Sequence, residues 1–575
     1  MNNQKVTYLE YNMHQLQLPS DLEDWIDPND ICYLIHYLVE NMDETNFESC
    51  YQGGGRSCYH PKMMLKVILY AYVKRVTSGR KIAAMCRESI PMIWLAGRQT
   101  PDFRTINRFR SERMRGTIDT VFEALILQLV EENYIDPSQY FLDGTKIEAN
   151  ANKYSFVWSK ATKNFQEKLQ TKIAYFLEKA AQFAKEETEE VPALGELTAL
   201  SKRILQNVQT KEITSNEVQE ITEKLEELQE QTKDKDLPRK EKTALRKLTK
   251  EFKEDYFVRL KKCEDYQEIA GERNSFSKTD PDATFMRMKE DHMKNRQLKA
   301  GYNIQMGTQN QFIRFFTLHP NPNDTRTFPL HMEKLKEQNL DYPQIVIADG
   351  GYGSENNYLY CYENKLEALI PYSQLRKEEK KNYKNQIKYW QNWEYHREDD
   401  YFVCPNNRFV EFQQYRKKTD AYGQKKDYKI YKCESCQGCP VKEECTKAKG
   451  NRTLQINPVY EECKADVRQK LIENQETKDL YAQRKIEPET VFGNLKANLG
   501  CRRFVLRGKE KVHIEFGLYA MAHNLIKWFK KLQEKGIPLR TRIQDFENSK
   551  IGDEIHEYFI SDFLFMGQPQ PQLHS

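Results

Sequence analysis

Two short apolar runs in this chain each end in an aspartate followed at once by glycine, and they constrain its architecture more than any other feature. Tyr140-Phe141-Leu142 leads into Asp143-Gly144, and Ile345-Val346-Ile347-Ala348 leads into Asp349-Gly350-Gly351. Runs this short, rich in β-branched and aromatic residues, read as buried strands. Glycine behind each acid leaves the backbone room to turn and a ligand room to approach. A helix beginning near Ser354 makes the second run a strand–loop–helix unit, and open α/β sheets gather ligands at the carboxyl ends of their strands. The predicted fold class is therefore α/β, with both aspartates candidates for chemistry. The competing role for an aspartate in such a loop is a turn or cap.

The 575 residues suffice for three or four domains. No apolar run approaches the roughly 18 residues of a membrane span. The opening MNNQKVTYLEYNMHQLQLPS lacks a basic-then-apolar signal pattern. With 13 cysteines and no export signal, the thiols read as reduced or metal-bound, and the expected location is cytoplasmic, associated with the nucleoid. The net charge of +4 conceals an uneven distribution: +10 over Pro61–Arg115, +8 over Arg484–Arg540 and −14 over the remainder. Two basic islands in an acidic chain suit two surfaces for a polyanion.

The periodicities divide the chain as follows. Residues 1–135 read as an N-terminal all-α domain, with Pro61 in a first helical turn and Thr100, Pro101 and Asp102 opening a helix that bears Arg104, Asn107, Arg108 and Arg110. This fits a helix-turn-helix DNA reader and a plain helical bundle equally well. Residues 136–160 and 296–376 supply the strands of the core. Residues 161–295 form a charged helical insertion, expected as a projecting hairpin broken at Leu237-Pro238. In it Thr214 and Glu217 are spaced as a capping box ahead of an apolar stripe of Val218, Ile221, Leu225 and Leu228. Residues 377–477 are polar and cysteine-bearing, 478–545 return to helix, and 546–575 form a tail expected to be loose.

A third acid, Glu489 in ETVFGNLK, lies on a helix with Lys496 two turns along the same face. Two strand aspartates and one helical glutamate can surround one or two divalent cations. The ions relieve the mutual repulsion of the anions and, roughly 4 Å apart, support both oxygens of an in-line phosphoryl transfer. Five cysteines fall between residues 404 and 445. Cys404, Cys436, Cys439 and Cys445 are the expected ligands of a structural zinc with Cys433 spare, and the spacing also suits an iron–sulfur cluster. His331 and His523 stand in apolar runs and read as core residues.

The blocks LDGTKIEANA, IADGGYGSENNY and RKIEPETVFGNLKANLGCRRFVLRGKEKVHIEFGLYAMAHNLIKW resemble the three blocks of bacterial insertion-sequence DDE transposases. YHPKMMLKVILYAYVKR and DFRTINRFR are similar to the N-terminal domain of the same group. The resemblance implies a ribonuclease H-like mixed sheet flanked by helices, with Asp143, Asp349 and Glu489 as catalytic ligands of Mg²⁺ or Mn²⁺. Relatives carry Y-x2-R-x3-E-x6-K. Tyr481 and Arg484 match its first interval and Glu489 to Lys496 its last, but position 488 is proline, which leaves Glu487 a rival to Glu489. Arg104, Arg108, Arg502, Arg503, Arg507 and Lys509 are the expected DNA contacts. The function implied is binding of element ends, metal-dependent strand cleavage and strand transfer to target DNA. A homodimer would pair two ends, with the insertion's apolar stripe as its contact. The alternative is a zinc-containing DNA-binding protein with inert carboxylates.

Overall fold

The structure is a computed structural model that describes residues 21–51, 58–183, 197, 199–205, 212–231, 239–288, 297–420, 423–536 and 538–541. Leu237-Pro238 and the tail from 546 lie outside the described residues. Among the described residues no helix is long and apolar enough to cross a membrane.

The strands in chain order are β1 (Gln139–Glu148), β2 (Phe156–Trp158), β3 (Ser275–Ser277), β4 (Thr284–Arg287), β5 (Leu298–Gln309), β6 (Phe312–His319), β7 (Ile345–Ala348) and β8 (Glu367–Leu369). β4, β5, β1, β7 and β8 lie in that order in one mixed sheet, with β6 also paired to β5. β1 runs antiparallel to β5 and parallel to β7, and β7 is parallel to β8. Burial on both faces explains the near-continuous apolar character of β6 and β7. One face carries the helices Asp324–Lys336 and Glu355–Glu363. The long helix Lys509–Glu534 packs on β6 and also against the N-terminal helix Pro61–Val73. Gly517 permits close approach there, since a β-carbon would fall 2.6 Å from Ile118 Cγ1.

The N-terminal helices span Ile31–Glu40, Pro61–Val73, Gly79–Glu88, Ile90–Leu95, Phe103–Arg108 and Ile118–Glu131. They share one continuous core with the sheet. Asp102 rather than Thr100 is the cap of the helix Phe103–Arg108, accepting from the N–H groups of Arg104 and Thr105 at 2.7 and 2.8 Å. Gly79 lies against Asn107, where a β-carbon would meet the amide oxygen at 2.3 Å. Arg110 is buried and donates to Tyr72 Oη, the Thr77 carbonyl and Asn107 Oδ1, which removes it from any surface role.

The insertion departs from the expected exposed hairpin. Its helices Ser159–Phe183, Ser215–Gln231, Arg239–Glu251 and Phe257–Ala270 build a core of their own. Val218, Ile221, Leu225 and Leu228 are buried in it against Leu169, Ile173, Leu177, Phe252, Tyr256 and Leu260. The expected capping box is present, with Thr214 N donating to Glu217 Oε2 at 2.7 Å and Glu217 N to Thr214 Oγ1 at 3.3 Å. The apolar stripe is satisfied within the insertion and supplies no dimer contact. Helical spacing revealed a buried face but not which helix would bury it.

A second sheet comprises β9 (Glu394–His396), β10 (Tyr401–Val403), β11 (Phe409–Thr419), β12 (Lys425–Cys433) and β13 (Thr453–Ile456), in the order β13-β12-β11-β10-β9. Its small core includes Trp393, Phe402, Val410 and Tyr431 together with four cysteines.

Candidate active site

The register between β1 and β7 brings the two aspartates together. Leu142 pairs with Ala348 as the last step of the parallel ladder, so Asp143 and Asp349 follow on adjacent strands. Side chains alternate along a strand, which puts both on the same face of the sheet. Asp143 is buried. Its Oδ1 accepts the Gly144 N–H at 2.7 Å, and Asp349 Oδ1 accepts the Gly351 N–H at 2.8 Å. Only Asp349 closes its strand as expected; Asp143 lies midway along β1, which stays paired with β5 through Gly144 to Glu148.

Arg484 ends the helix Gln475–Gln483, and its Nη1 lies 3.6 Å from Asp143 Oδ2 with only 14% of its side chain exposed. The tyrosine-arginine interval in the sequence therefore has a physical consequence: it delivers a guanidinium to the first aspartate. Tyr481 is half-buried and packs on the main core.

The helix Glu487–Gly493 follows at once and packs against β1 and β5. Its two acids are in different environments. Glu487 is buried, and its Oε2 accepts the N–H of Gln311 in the β5–β6 turn at 2.6 Å. Burial raises its carboxyl pKa, opposed by that N–H and by Lys527. Glu489 is exposed. Glu487 is thus held in a structural contact, and Glu489 is the acid left available. Lys496, two turns on, is buried.

Behind the aspartates lies a polar network that the sequence alone did not disclose. Gln305 stands opposite Gly144 in the β1–β5 ladder and Asn303 opposite Lys146. Both amides donate to Asp324 Oδ1, at 2.9 and 2.8 Å. The Tyr352 hydroxyl donates to Gln305 Oε1. A β-carbon at Gly144 would come within 2.5 Å of Gln305 Nε2 and 2.7 Å of Asp324 Oδ1. The phenol pKa of Tyr352 is raised first by burial and then by the carboxylates of Asp324, Asp143 and Asp349. The signal that could have found it is a carboxylate at the start of a helix, with two amides two residues apart on a strand.

The negative charge gathered there, with one guanidinium against it, and the hard oxygen donors suit a divalent cation. However, among the described residues no three His, Cys, Asp or Glu side chains stand ready around one metal-sized point. Asp143 and Asp349 follow one another on adjacent strands, and Glu489 lies on the helix that packs against β1 and β5.

The basic residues expected on DNA divide in two. Arg104 and Arg108 are exposed one turn apart, Arg108 pairing with Glu112 at 3.3 Å. Arg502, Arg503 and Arg507 instead have backbone partners: Arg502 Nε donates to the Lys496 carbonyl, Arg503 Nη2 to that of Ala151 and Arg507 Nε to that of Asn150. Burial lowers the pKa of Lys509, whose N–H donates to Asp282 Oδ2 at 2.8 Å. His331 bridges Tyr140 Oη and Thr317 Oγ1, and His523 contacts Asn494 and the Gln311 carbonyl. Both imidazoles are buried with lowered pKa values, that of His523 near 4.

Cys404, Cys433, Cys436, Cys439 and Cys445 line a single cavity of about 20 Å³ in the second sheet. Cys433 Sγ donates to the Ser435 carbonyl at 3.5 Å, whereas Cys436 Sγ accepts the Arg452 N–H at 3.2 Å. The sulfurs share one cavity but do not, as they stand, close a metal site.

Two segments match models of known families. Residues 403–529 match the family described as Transposase DDE domain, and residues 20–112 match that described as Transposase domain (DUF772). The first span holds the cysteines, Arg484, Glu489 and Lys496; Asp143 and Asp349 lie outside both. No curated protein and no solved structure matches the chain. With a match to one transposase family before the two aspartates and a match to another after them, the chain is similar to insertion-sequence DDE transposases.

Proposed function

We propose that the protein binds the ends of a mobile element, hydrolyses a phosphodiester there and joins the freed 3′-hydroxyl to target DNA. The observation that carries this reading is the juxtaposition of Asp143 and Asp349 just past the last paired step of the parallel β1–β7 ladder, with Arg484 against Asp143. The mixed sheet, antiparallel through β1, β5 and β6 and parallel through β1, β7 and β8, supports a ribonuclease H-like core.

Asp143, Asp349 and Glu489 would hold Mg²⁺ or Mn²⁺. Bound there, the cation supplies Lewis acidity and a water or 3′-hydroxyl ionised near neutral pH. Arg484 offsets the negative charge on Asp143 and fixes its second oxygen. Lys496 reaches toward phosphate from the same helical segment as Glu489. Arg104 and Arg108 contact duplex DNA from the N-terminal helices, and Arg502, Arg503, Arg507 and Lys509 contact it beside the cut site, where Arg503 and Arg507 also hold the loop after β1. Two copies act together on two ends.

Cys404, Cys436, Cys439 and Cys445 are proposed as ligands of a structural zinc, a reading supported by their shared cavity and by the N–H donated to Cys436. Such a zinc would tie β10, β12 and the helix Lys442–Cys445 together.

Cleavage of a duplex carrying the element end, with Mg²⁺ present, tests the catalytic reading. Asp143→Asn is expected to abolish nicking while leaving retention of the duplex in a mobility-shift assay unchanged. Wild-type protein that binds the duplex but never cuts it would favour the inert alternative.

A further inference from the structure

The β11–β12 hairpin has no role in the site described above, and its construction is unusual. The two strands pair from Val410↔Cys433 to Thr419↔Lys425, but their neighbours cover only the root. β10 reaches no farther than Glu411, and β13 pairs with Lys429–Lys432 alone. Beyond that root, Arg416–Thr419 and Lys425–Tyr428 form a bare two-stranded ribbon. Such a ribbon is marginal by itself and leaves both edges open.

Two polar side-chain contacts tie it to other elements among the described residues. Lys426 Nζ lies 3.0 Å from Glu355 Oε2 and 3.3 Å from Asp420 Oδ2, with its side chain 17% exposed. Lys418 Nζ donates to Gln455 Oε1 at 2.5 Å. Glu355 is the first residue of the helix that follows the Asp349 loop, and Asn457 Nδ2 holds the same Oε2 at 2.9 Å. The far end of the ribbon is therefore fastened to the helix that follows the loop bearing the second aspartate.

The hairpin's charge is one-sided. Phe409–Cys433 contains seven Lys or Arg against three Asp or Glu. Asp420 is engaged by Lys426, and Asp427 stands across from Lys417 in the ladder. Arg416, Lys417 and Lys425 are exposed and make no ion pair among the described residues. Cations that serve only to solvate a surface need no fixed backbone and no anchor at an active-site loop. These have both.

We infer that the β11–β12 ribbon is an arm that grips the phosphodiester backbone of duplex DNA beside the cut site. Arg416, Lys417 and Lys425 contact phosphates, and the Lys426–Glu355 ion pair aligns the arm with Asp349. The occupant is duplex DNA because the exposed groups are cations and a two-stranded ribbon fits a major groove about 12 Å wide. The contacts are to phosphate and carry no sequence preference of their own. This inference rests on the reading of Asp143 and Asp349 as a DNA strand-transfer site, since that reading puts DNA at the arm's anchor.

The test is the salt dependence of binding to an end-bearing duplex, measured by fluorescence anisotropy on the full chain. Every phosphate that the protein ceases to neutralise takes about 0.9 from the slope of log K against log salt. The variant R416A/K417A/K425A is expected to lose roughly 2 to 3 from that slope and to bind about 10- to 100-fold more weakly at 0.15 M salt. R416K/K417R/K425R is expected to keep both. K163A/K168A/K172A, which removes three exposed lysines from the helical insertion, is expected to change neither. An unchanged slope in the arm variant, or an equal fall in the insertion variant, overturns the inference. D143N separates it from the catalytic reading: failure of the arm leaves D143N defective in cutting alone, while failure of the catalytic reading leaves the arm's effect on the slope intact.

Discussion

Arg484 Nη1 and Asp143 Oδ2 stand 3.6 Å apart midway along the first core strand. The guanidinium comes from a helix end more than 300 residues along the chain. Arg484→Ala is expected to slow single-turnover strand cleavage about 100- to 1000-fold, as for loss of a fixed electrostatic contact in an active site. Duplex affinity should stay within a factor of three or so, because one buried arginine adds little to a phosphate grip. Wild-type cleavage by this variant would reduce Arg484 to a packing role.

The helix Glu487–Gly493 offers a choice between two acids. Glu489→Gln is expected to abolish cleavage, and Glu487→Gln to preserve it, since an amide oxygen can still accept the Gln311 N–H. The pH dependence distinguishes them as well. Burial raises the Glu487 pKa above the ordinary 4.5, so the folded protein holds this proton more tightly than the unfolded chain does. Stability from this group is complete below the unfolded value and is lost as pH rises through the raised folded value. Thermal melts should therefore show E487Q at least as stable as wild type at pH 7.5, with the difference shrinking toward pH 4.5.

Gly144 leaves no space for a side chain. A methyl group there would press on Gln305 Nε2 and Asp324 Oδ1, which hold the network behind the aspartates. Gly144→Ala is expected to cost about 1 to 3 kcal/mol, in the range of overpacked sites, and to lower cleavage by more than that loss explains. Chemical denaturation and single-turnover rates measured on the same preparation check both parts. Unchanged stability would mean that the network yields freely.

The insertion should behave as a unit with its own core. Leu225→Ala is expected to destabilise it by about 2 to 5 kcal/mol, seen as earlier loss of helical circular dichroism with the mass in solution unchanged. A change of mass at constant helicity would point instead to an intermolecular contact through this stripe.

The sequence disclosed those features that depend on near neighbours. An apolar run before each of Asp143 and Asp349 singled them out, although only Asp349 closes its strand while β1 runs on to Glu148, and the box at Thr214 and Glu217 was legible because capping is local. What the sequence concealed depends on register and packing partners. Asp324 and Gln305 meet only because β5 pairs with β1 at one register and a helix begins above it. The stripe at Val218 to Leu228 showed a face to be buried, yet nothing local named Leu169 and Phe252 as its cover. Arg110 looked like its exposed neighbours Arg104 and Arg108, since periodicity cannot reveal that Tyr72 and the Thr77 carbonyl would claim its guanidinium. The ribbon of β11 and β12 was hidden for a related reason: its charged residues alternate across strands whose pairing the sequence does not state.

The most direct test of the account is a crystal of the protein bound to an end-bearing duplex and soaked in Mn²⁺. The account predicts an anomalous peak about 2.0 to 2.2 Å from carboxylate oxygens of both Asp143 and Asp349, with Glu489 turned toward it and a phosphate against the ion. Manganese bound elsewhere, or a peak touching only one of the two aspartates with DNA in place, would contradict it.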